Sequence, residues 1–301
     1  MKLFLQTLTL LMLAVLLYGC GSTRSSQPED KRGINIPSVA TVANRSDVSS
    51  SEPLVNIPDA AFKSFLLNEV VYTMLPYESG KSSVGVKFLD TVYVPTAQKI
   101  DANGDGEISL AEAEPVVFLK VCDLNIKDFA GLEYFPNLTG LVINRVGMDS
   151  PRLDLSGNAR LKYLDCSRSN LSAIDFSKNG ELLFLNCKNN QLATLDLSKN
   201  SNLQLLYCGG NRLSLLDLLR NRELTRLSCE NNKLASLDLS NNVALEYVDC
   251  LSNELCSLDV AGNAMLSSLY CDYNPLTTLY VAAGHSFKHL SLPETTTITN
   301  K

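Results

Sequence analysis

From Leu138 onward the hydrophobic and polar positions recur with a fixed period. One full unit reads Leu182-x-x-Leu185-x-Cys187-x-x-Asn190-x-Leu192-x-x-Leu195-Asp196-Leu197-Ser198-x-Asn200. Cys166, Cys187, Cys208, Cys229, Cys250 and Cys271 follow one another at 21-residue steps. Two asparagine columns keep the same step, one through Asn179, Asn200, Asn221, Asn242 and Asn263, the other through Asn190, Asn211, Asn232, Asn253 and Asn274. A period in the twenties predicts a solenoid, because a single coil cannot bury its own apolar face and stacked coils build a continuous interior. In each L-x-x-L-x-C stretch the alternation sends leucine and cysteine inward from a strand, and stacking at about 4.8 Å lets successive strands pair in parallel. The asparagines fall where the chain leaves a strand, so their amides are expected to satisfy backbone groups that the turn leaves unpaired.

The repeat is irregular at its ends. Leu138-x-x-Leu141-x-Ile143 is a degenerate first unit that reaches Cys166 in 23 residues, which predicts a bulge around 146–152. In the first regular unit Ser169 stands where asparagine is expected, beside Asn170. Phe287, Leu290 and Leu292 make a last unit, after which Pro293 and a Thr-rich tail, 293–301, are expected to stop the sheet and protect its edge.

The unit L-x-x-L-x-L-x-x-N-x-L, with cysteine at the third leucine, is the leucine-rich repeat pattern. With its cysteine ladder the chain resembles the internalin-J-type repeats and the cell-surface leucine-rich repeat lipoproteins of the Bacteroidetes, over about 115–292. The expected fold is an α/β repeat: a leucine-rich repeat solenoid of 21-residue coils with a parallel β-sheet, preceded by a small helical EF-hand-like cap. The repeat domain is assigned to 131–292 and the cap to 54–130, where it would cover the apolar interior of the first coil.

One motif in the cap carries definite chemistry. Asp101-Ala-Asn103-Gly-Asp105-Gly106-Glu107-Ile108-Ser109-Leu-Ala-Glu112 matches the calcium loop D-x-[DN]-x-[DN]-G-x5-E at every defining place. Asp101, Asn103 and Asp105 supply side-chain oxygens, Glu107 its carbonyl, Ser109 a contact through water and Glu112 a bidentate carboxylate. Calcium is the expected cofactor. An extracellular module of this kind binds at about 10⁻⁴–10⁻³ M, so the ion would be held constitutively. Pro115 interrupts the exit helix, and the segment before the loop is not an obvious helix. A helix is expected instead over 59–72, capped by Asp59, with Phe62, Phe65, Leu66 and Val70 at helical spacing. The arrangement resembles Bacteroidetes repeat proteins in which an I-P-D-x-x-F helix and a calcium loop lead into the first coil, except that about 30 additional residues, 68–99, separate helix from loop here.

The amino terminus reads as processing. Met1-Lys2 precedes an apolar run to Tyr18, too short for a span of about 20 residues, and Leu17-Tyr18-Gly19-Cys20 resembles a lipoprotein lipobox. That resemblance implies a signal peptide at 1–19, lipid on Cys20, and a bacterial lipoprotein at the outer membrane or cell surface, touching the membrane through its anchor only. The polar stretch to residue 53 reads as a tether, the anchor and tether together occupying 20–53, with an r.m.s. span of roughly 30 Å.

Composition narrows the chemistry. The net charge of −6 in 301 residues gives no reason to expect a nucleic acid, and two histidines, His285 and His289, leave little material for a histidine metal centre or proton relay. No nucleophile elbow or phosphate loop occurs, so no enzyme activity is expected. The cysteine ladder is read as reduced, buried thiols, a chain of disulfides being the alternative that fits in-register strands less well. Cys122 is expected to pack between cap and repeats and Cys256 to sit in a turn. A column of Asp154, Asp175, Asp196, Asp217, Asp238 and Asp259 would stack like charges that repel by roughly 1 kcal/mol per neighbour in bulk water. Hydrogen bonds to turn amides are the expected offset, and bound cations the sharper alternative.

The remaining chemistry is recognition by the outward face of the strands. Tyr163, Phe184, Leu205, Arg226 and Tyr247 form one outward column, with Tyr207 and Tyr270 in the next. These seven are the candidate ligand residues, and a face centred on Phe184, Leu205, Tyr207 and Tyr247 is expected to bind a protein, either a host or a bacterial surface protein. A calcium-dependent glycan binder and a structural spacer are the alternatives, the spacer being favoured if the cap covers the aromatic face.

Overall fold

The computed structural model of the chain describes residues 52–76, 86–89, 91–146 and 152–301. The expected signal peptide, Cys20, most of the tether and most of the expected bulge lie outside the described residues.

Helix α1 (Ala60–Asn68) starts on Asp59, whose Oδ1 accepts the N–H groups of Ala61 and Phe62 at 2.9 Å. It stops before the expected residue 72. Val70-Val71-Tyr72-Thr73 is a β-branched and aromatic run, which loses side-chain freedom in a helix and fits a pleated sheet. That run forms β1 (Val70–Pro76), and with β2 (Val86–Phe88) and β3 (Thr91–Lys99) it makes an antiparallel sheet in the order β1-β3-β2. The additional residues ahead of the calcium-type loop therefore build a sheet, and the cap is as much strand as helix. A one-turn helix α2 (Leu110–Ala113) follows the loop, closed by a reciprocal capping box between Ser109 and Glu112.

The solenoid sheet begins earlier than the leucine pattern marks. Strand β4 (Phe118–Cys122) pairs in parallel with β5 (Gly140–Asn144), ahead of 131, because Leu119 and Val121 already alternate inward. The sheet continues through β7 (Tyr163–Asp165), β9 (Phe184–Asn186), β10 (Leu205–Tyr207), β11 (Arg226–Ser228), β12 (Tyr247–Asp249), β14 (Ser268–Tyr270) and β16 (His289–Ser291), nine parallel strands in one register. On the opposite side of the coils β6 (Arg152–Leu153) pairs β8 (Ala173–Ile174), and β13 (Ser257–Asp259), β15 (Thr278–Val281) and β17 (Thr297–Asn300) form a second parallel sheet. The segment expected to be a terminating tail thus carries a strand. Pro293 does not end the coil, since Thr297 and Ile298 restore the alternation four residues on.

One hydrophobic core runs from Val55 and Phe62 in the cap to Leu279 and Val281 in the last coils. The six ladder cysteines lie inside it, buried and free, as the inward alternation requires. The asparagine columns are structural in two different ways. Asn211 donates through Nδ2 to the carbonyls of Cys187 and Cys208 at 3.0 and 2.9 Å and accepts the Leu192 N–H through Oδ1 at 3.0 Å, so its amide is satisfied on both sides. Asn200, on the other turn, donates to Phe176 and Asn179 carbonyls, while its buried Oδ1 has no partner among the described residues, and Asn158, Asn179, Asn221, Asn242 and Asn263 share that pattern.

Candidate functional site

The outward face of the nine-stranded sheet divides into two parts. Over the first strands it is covered by β3. Tyr93 is fully buried, its ring stacked on Phe118 at 4.5 Å and its hydroxyl 2.9 Å from Thr139 Oγ1. Gly140 makes room for it, since a Cβ there would stand 2.9 Å from the Tyr93 ring. Tyr163 lies edge-on to Tyr93 at 6.2 Å, with its hydroxyl 3.3 Å from Thr91 Oγ1. Tyr163 is 1% exposed, Phe184 5%, Leu205 4% and Tyr207 7%. Four of the seven candidate ligand residues, including three of the four expected at its centre, are therefore core and not surface. Strand alternation directs them away from the solenoid interior, but it carries no information about what packs on that side, which for Tyr163 is β3.

Arg226, Tyr247 and Tyr270 stay partly exposed. The Arg226 guanidinium sits 4.6 Å from the centre of the Tyr247 ring, and Tyr270 is 5.6 Å from Tyr247. Arg226 also hydrogen-bonds Tyr207. Beside them is a polar group that the leucine pattern passes over. Lys188 reaches past the neighbouring coil to pair with Glu230 two coils away. The intervening position is Gly209, and a Cβ there would stand 2.3 Å from the Glu230 carboxyl carbon. Ser228 donates to the same carboxylate at 2.5 Å and accepts from Lys188 Nζ at 3.1 Å. Gly209 was the available signal: a lone glycine in a column that otherwise carries side chains marks a close approach.

Asp249 is directly opposite Ser228 on one side and Tyr270 on the other, and Tyr247 is two residues before it on the same outward face. It accepts the Leu251 N–H at 3.2 Å. Burial, then the charge of Glu230, pushes its carboxyl up to about 6. Asp165, in the covered part, is also pushed up by burial, against hydrogen bonds from Ser167, Asn186 and Asn144.

In the calcium-type loop Asp101 Oδ1 accepts the Gly104 N–H at 2.8 Å, and Asn103 and Asp105 accept the N–H groups two residues on, both at 2.8 Å. Gly106 takes φ +83°, and Ile108 is fully buried. The loop is braced from outside. Val55 N–H donates to the Ile108 carbonyl at 2.8 Å, Lys63 on α1 pairs with Glu107 at 2.5 Å, and Glu112 accepts the N–H groups of Ala102 and Ser109 at 2.9 Å each. Among the described residues no three His, Cys, Asp or Glu side chains gather as a metal centre. The donors at Asp101, Asn103, Asp105, Ser109, Glu112 and the Glu107 carbonyl are all oxygens, and that chemistry fits a hard cation once the amide and carbonyl are counted.

Each aspartate of the exposed back column accepts the N–H two residues on, as Asp175 does from Ser177 at 2.8 Å and Asp196 from Ser198 at 2.9 Å. These backbone bonds, followed by the serine hydroxyls, hold both carboxyls below their ordinary value. The column is therefore stabilised locally, as hydrogen bonding to turn amides requires. Burial pushes the thiols of Cys166, Cys187, Cys208 and Cys229 far up, which makes them inert packing groups. Cys122, at the end of β4, is part-buried, while Cys256 is exposed and free. His285 donates through Nε2 to the Leu266 carbonyl at 2.9 Å and packs on Phe287, and His289 lies exposed on the edge strand β16.

No protein-family model matches the chain, and no curated protein does. Solved structures do. Internalin C2 from Listeria monocytogenes aligns over 82% of this chain and 100% of its own, at 18% identity and a TM-score of 0.54. The fold is a leucine-rich repeat solenoid. YopM from Yersinia enterocolitica covers 62% of the chain at 23% identity and a TM-score of 0.50, with 42% of its own length spanned. The functional domain of InlJ from Listeria monocytogenes, described as including a cysteine ladder, is 25% identical over 63% of the chain, with a TM-score of 0.38, and the chain spans 56% of it.

Proposed function

We propose that this leucine-rich repeat protein is a non-enzymatic recognition module that binds a protein partner through the second half of its outward sheet face, on β11, β12 and β14. The observation that carries this reading is the partly exposed group Arg226, Tyr247 and Tyr270, in which Arg226 lies over the Tyr247 ring and Tyr270 is tilted against it, on a parallel sheet. Arginine and tyrosine are residue types that dominate binding energy at protein interfaces, and a rigid sheet presents them at little ordering cost. The first half, being covered, is a support. The test is affinity capture with the protein and with the triple variant R226A/Y247A/Y270A. A partner retained by the first and lost by the second, with unchanged circular dichroism, supports the reading, and a partner retained equally by both sinks it.

Two further parts of the reading rest on sequence. Lipid on Cys20 would hold the module at a cell surface, and a fatty-acid label lost in C20A is the expected outcome. Calcium in the loop 101–112 would replace the hydrogen bonds that now hold Asp101 and Glu112 to their own backbone, and would stiffen the junction of α1 with the first coil. Chelation is then expected to lower the melting temperature of the wild type and leave E112Q unchanged. A calcium-dependent glycan site remains the second reading because tyrosine faces suit sugar rings, and a glycan array run with and without chelator separates the two.

A further inference from the structure

The second half of the sheet face contains one charged group whose environment is incomplete. Among the described residues the nearby cations lie against other groups: Lys188 against Glu230 and Ser228, Arg226 against the Tyr247 ring and Tyr207, with its buried Nε left without a partner. Asp249 takes part in no ion pair there. It is half-buried between the outward tyrosines of its own strand and of the next, receives one backbone N–H at 3.2 Å, and faces the negative charge of Glu230 one strand away.

A carboxylate in that position weakens the fold. Burial and the charge of Glu230 push its value up to about 6, against the weaker pull of the Leu251 N–H, Lys188 and Tyr247, so at neutral pH it is mostly ionised without an ion-pair partner of its own. Asp175, Asp196 and Asp238 of the back column differ, since these three are exposed and held low by their own turns. A destabilising charge set among aromatic side chains on an open face is the arrangement found where a site is complementary to a ligand and not to itself.

We infer that Asp249, flanked by Tyr247 and Tyr270, is the subsite on this face that receives an arginine side chain from the bound protein. The inference rests on the proposed recognition role of the same face. Charge complementarity selects a cation, because an incoming guanidinium would supply the direct ion pair that Asp249 lacks among the described residues and offset its repulsion with Glu230. The two tyrosine rings, 5.6 Å apart, select arginine over lysine, because a planar guanidinium stacks on aromatic faces while directing paired N–H groups at a carboxylate. Lys188 and Glu230 set the far limit of the subsite, held in place by the space that Gly209 leaves.

The experiment uses the full chain at pH 7.5 and a labelled probe peptide, acetyl-Gly-Arg-Gly-Arg-Gly-amide, with its citrulline counterpart as the neutral isostere. Fluorescence anisotropy is expected to show the arginine peptide binding about ten-fold more tightly than the citrulline peptide, and D249N is expected to erase that difference. D249N removes an unpaired charge, so it should fold at least as well as the wild type, and a loss of binding cannot be assigned to unfolding. The back-face variant D175N/D196N lowers the net charge of −6 by a larger amount and should leave the preference intact. Equal losses in D249N and D175N/D196N would mean attraction by overall charge and overturn the inference, as would an unchanged preference in D249N. If D249N keeps the preference while R226A/Y247A/Y270A still loses the captured partner, the subsite falls and the recognition face stands. If neither variant loses anything, both fall together.

Discussion

On β7 and β9 the outward positions are Tyr163, Asp165, Phe184 and Asn186, all but Asp165 buried, with β3 packed over Tyr163. On β11 and β12 the same positions are arginine, serine, tyrosine and aspartate, and Arg226, Tyr247 and Asp249 remain partly solvated. The strands are identical in register and in their inward leucine and cysteine columns, so the difference comes from what stands outside the coil. In the first half the inserted antiparallel sheet supplies Tyr93, and aromatic contacts complete a small outer core. In the second half the sequence supplies charges, which make their own cross-coil network through the gap at Gly209. A uniform solenoid therefore has a locked end and an open end, and only the open end can exchange water for a partner.

The largest expected effect tests the locked end. Tyr93→Ala removes a fully buried ring that touches Phe118, Tyr163 and Thr139, and truncations of that size cost about 3–5 kcal/mol. Urea unfolding followed by tyrosine fluorescence should show the loss, together with new solvent exposure of Tyr163. A change below about 1 kcal/mol would mean that β3 does not contribute to the fold there. Next in size is Gly209→Val in the open half. Its side chain would occupy the place of the Glu230 carboxylate and separate it from Lys188, leaving two half-buried charges unpaired. A loss of about 2 kcal/mol is expected, and the accompanying E230Q substitution should recover part of it.

How much of this was legible beforehand depends on the range of the forces involved. The 21-residue register, the inward cysteines and both asparagine columns follow from residues that meet their own equivalents one coil away, so periodicity alone predicts them. Val70 illustrates the limit of that reasoning: it continues the helical spacing of Phe62 and Leu66, yet local β-preference in Val70-Val71-Tyr72-Thr73 starts a strand. Tyr163 illustrates another, since outward alternation is a statement about the coil and cannot see a partner strand encoded some 70 residues earlier. The site itself was half legible. Arg226, Tyr247 and Tyr270 stand out as outward anchors, whereas Lys188, Glu230 and Asp249 look like ordinary surface charges until the missing side chain at Gly209 brings two of them together. In the calcium-type loop the ligand spacing was explicit, but the bracing by Val55 and Lys63 was not, because it depends on chain 40 to 50 residues away.

A smaller effect is expected from Asp249→Asn, with the opposite sign. The folded-state carboxyl is raised from 3.8 to about 6, so the native protein binds more protons than the unfolded chain between those values. Wild-type stability should accordingly fall as pH rises from about 4 to 7, and D249N should flatten that slope. At pH 7.5 the variant is expected to be more stable by about 1 kcal/mol, after discounting for partial solvation, and at pH 4 the two should coincide. Thermal melts across that range check it, and a D249N that is less stable at pH 7.5 would show that Asp249 is satisfied within the fold.

The smallest expected effect separates the aromatic contacts of the two halves. Tyr247 meets Arg226 through its ring face, at a site still reached by water, so the cation–π contact contributes about 0.5–1 kcal/mol. A double-mutant cycle on R226A and Y247A should return a coupling of that size, whereas Y247F, which keeps the ring, should leave it intact. In the covered half, the same cycle on Tyr93 and Phe118, stacked at 4.5 Å away from water, should return a larger coupling, because neither ring can recover solvent when its partner is removed. Equal couplings would mean that exposure does not distinguish the two halves, and the open half would then have no energetic latitude for a partner. The expected inequality leaves Tyr247 held loosely enough to reorient toward a ligand while Tyr93 keeps the sheet beneath it rigid.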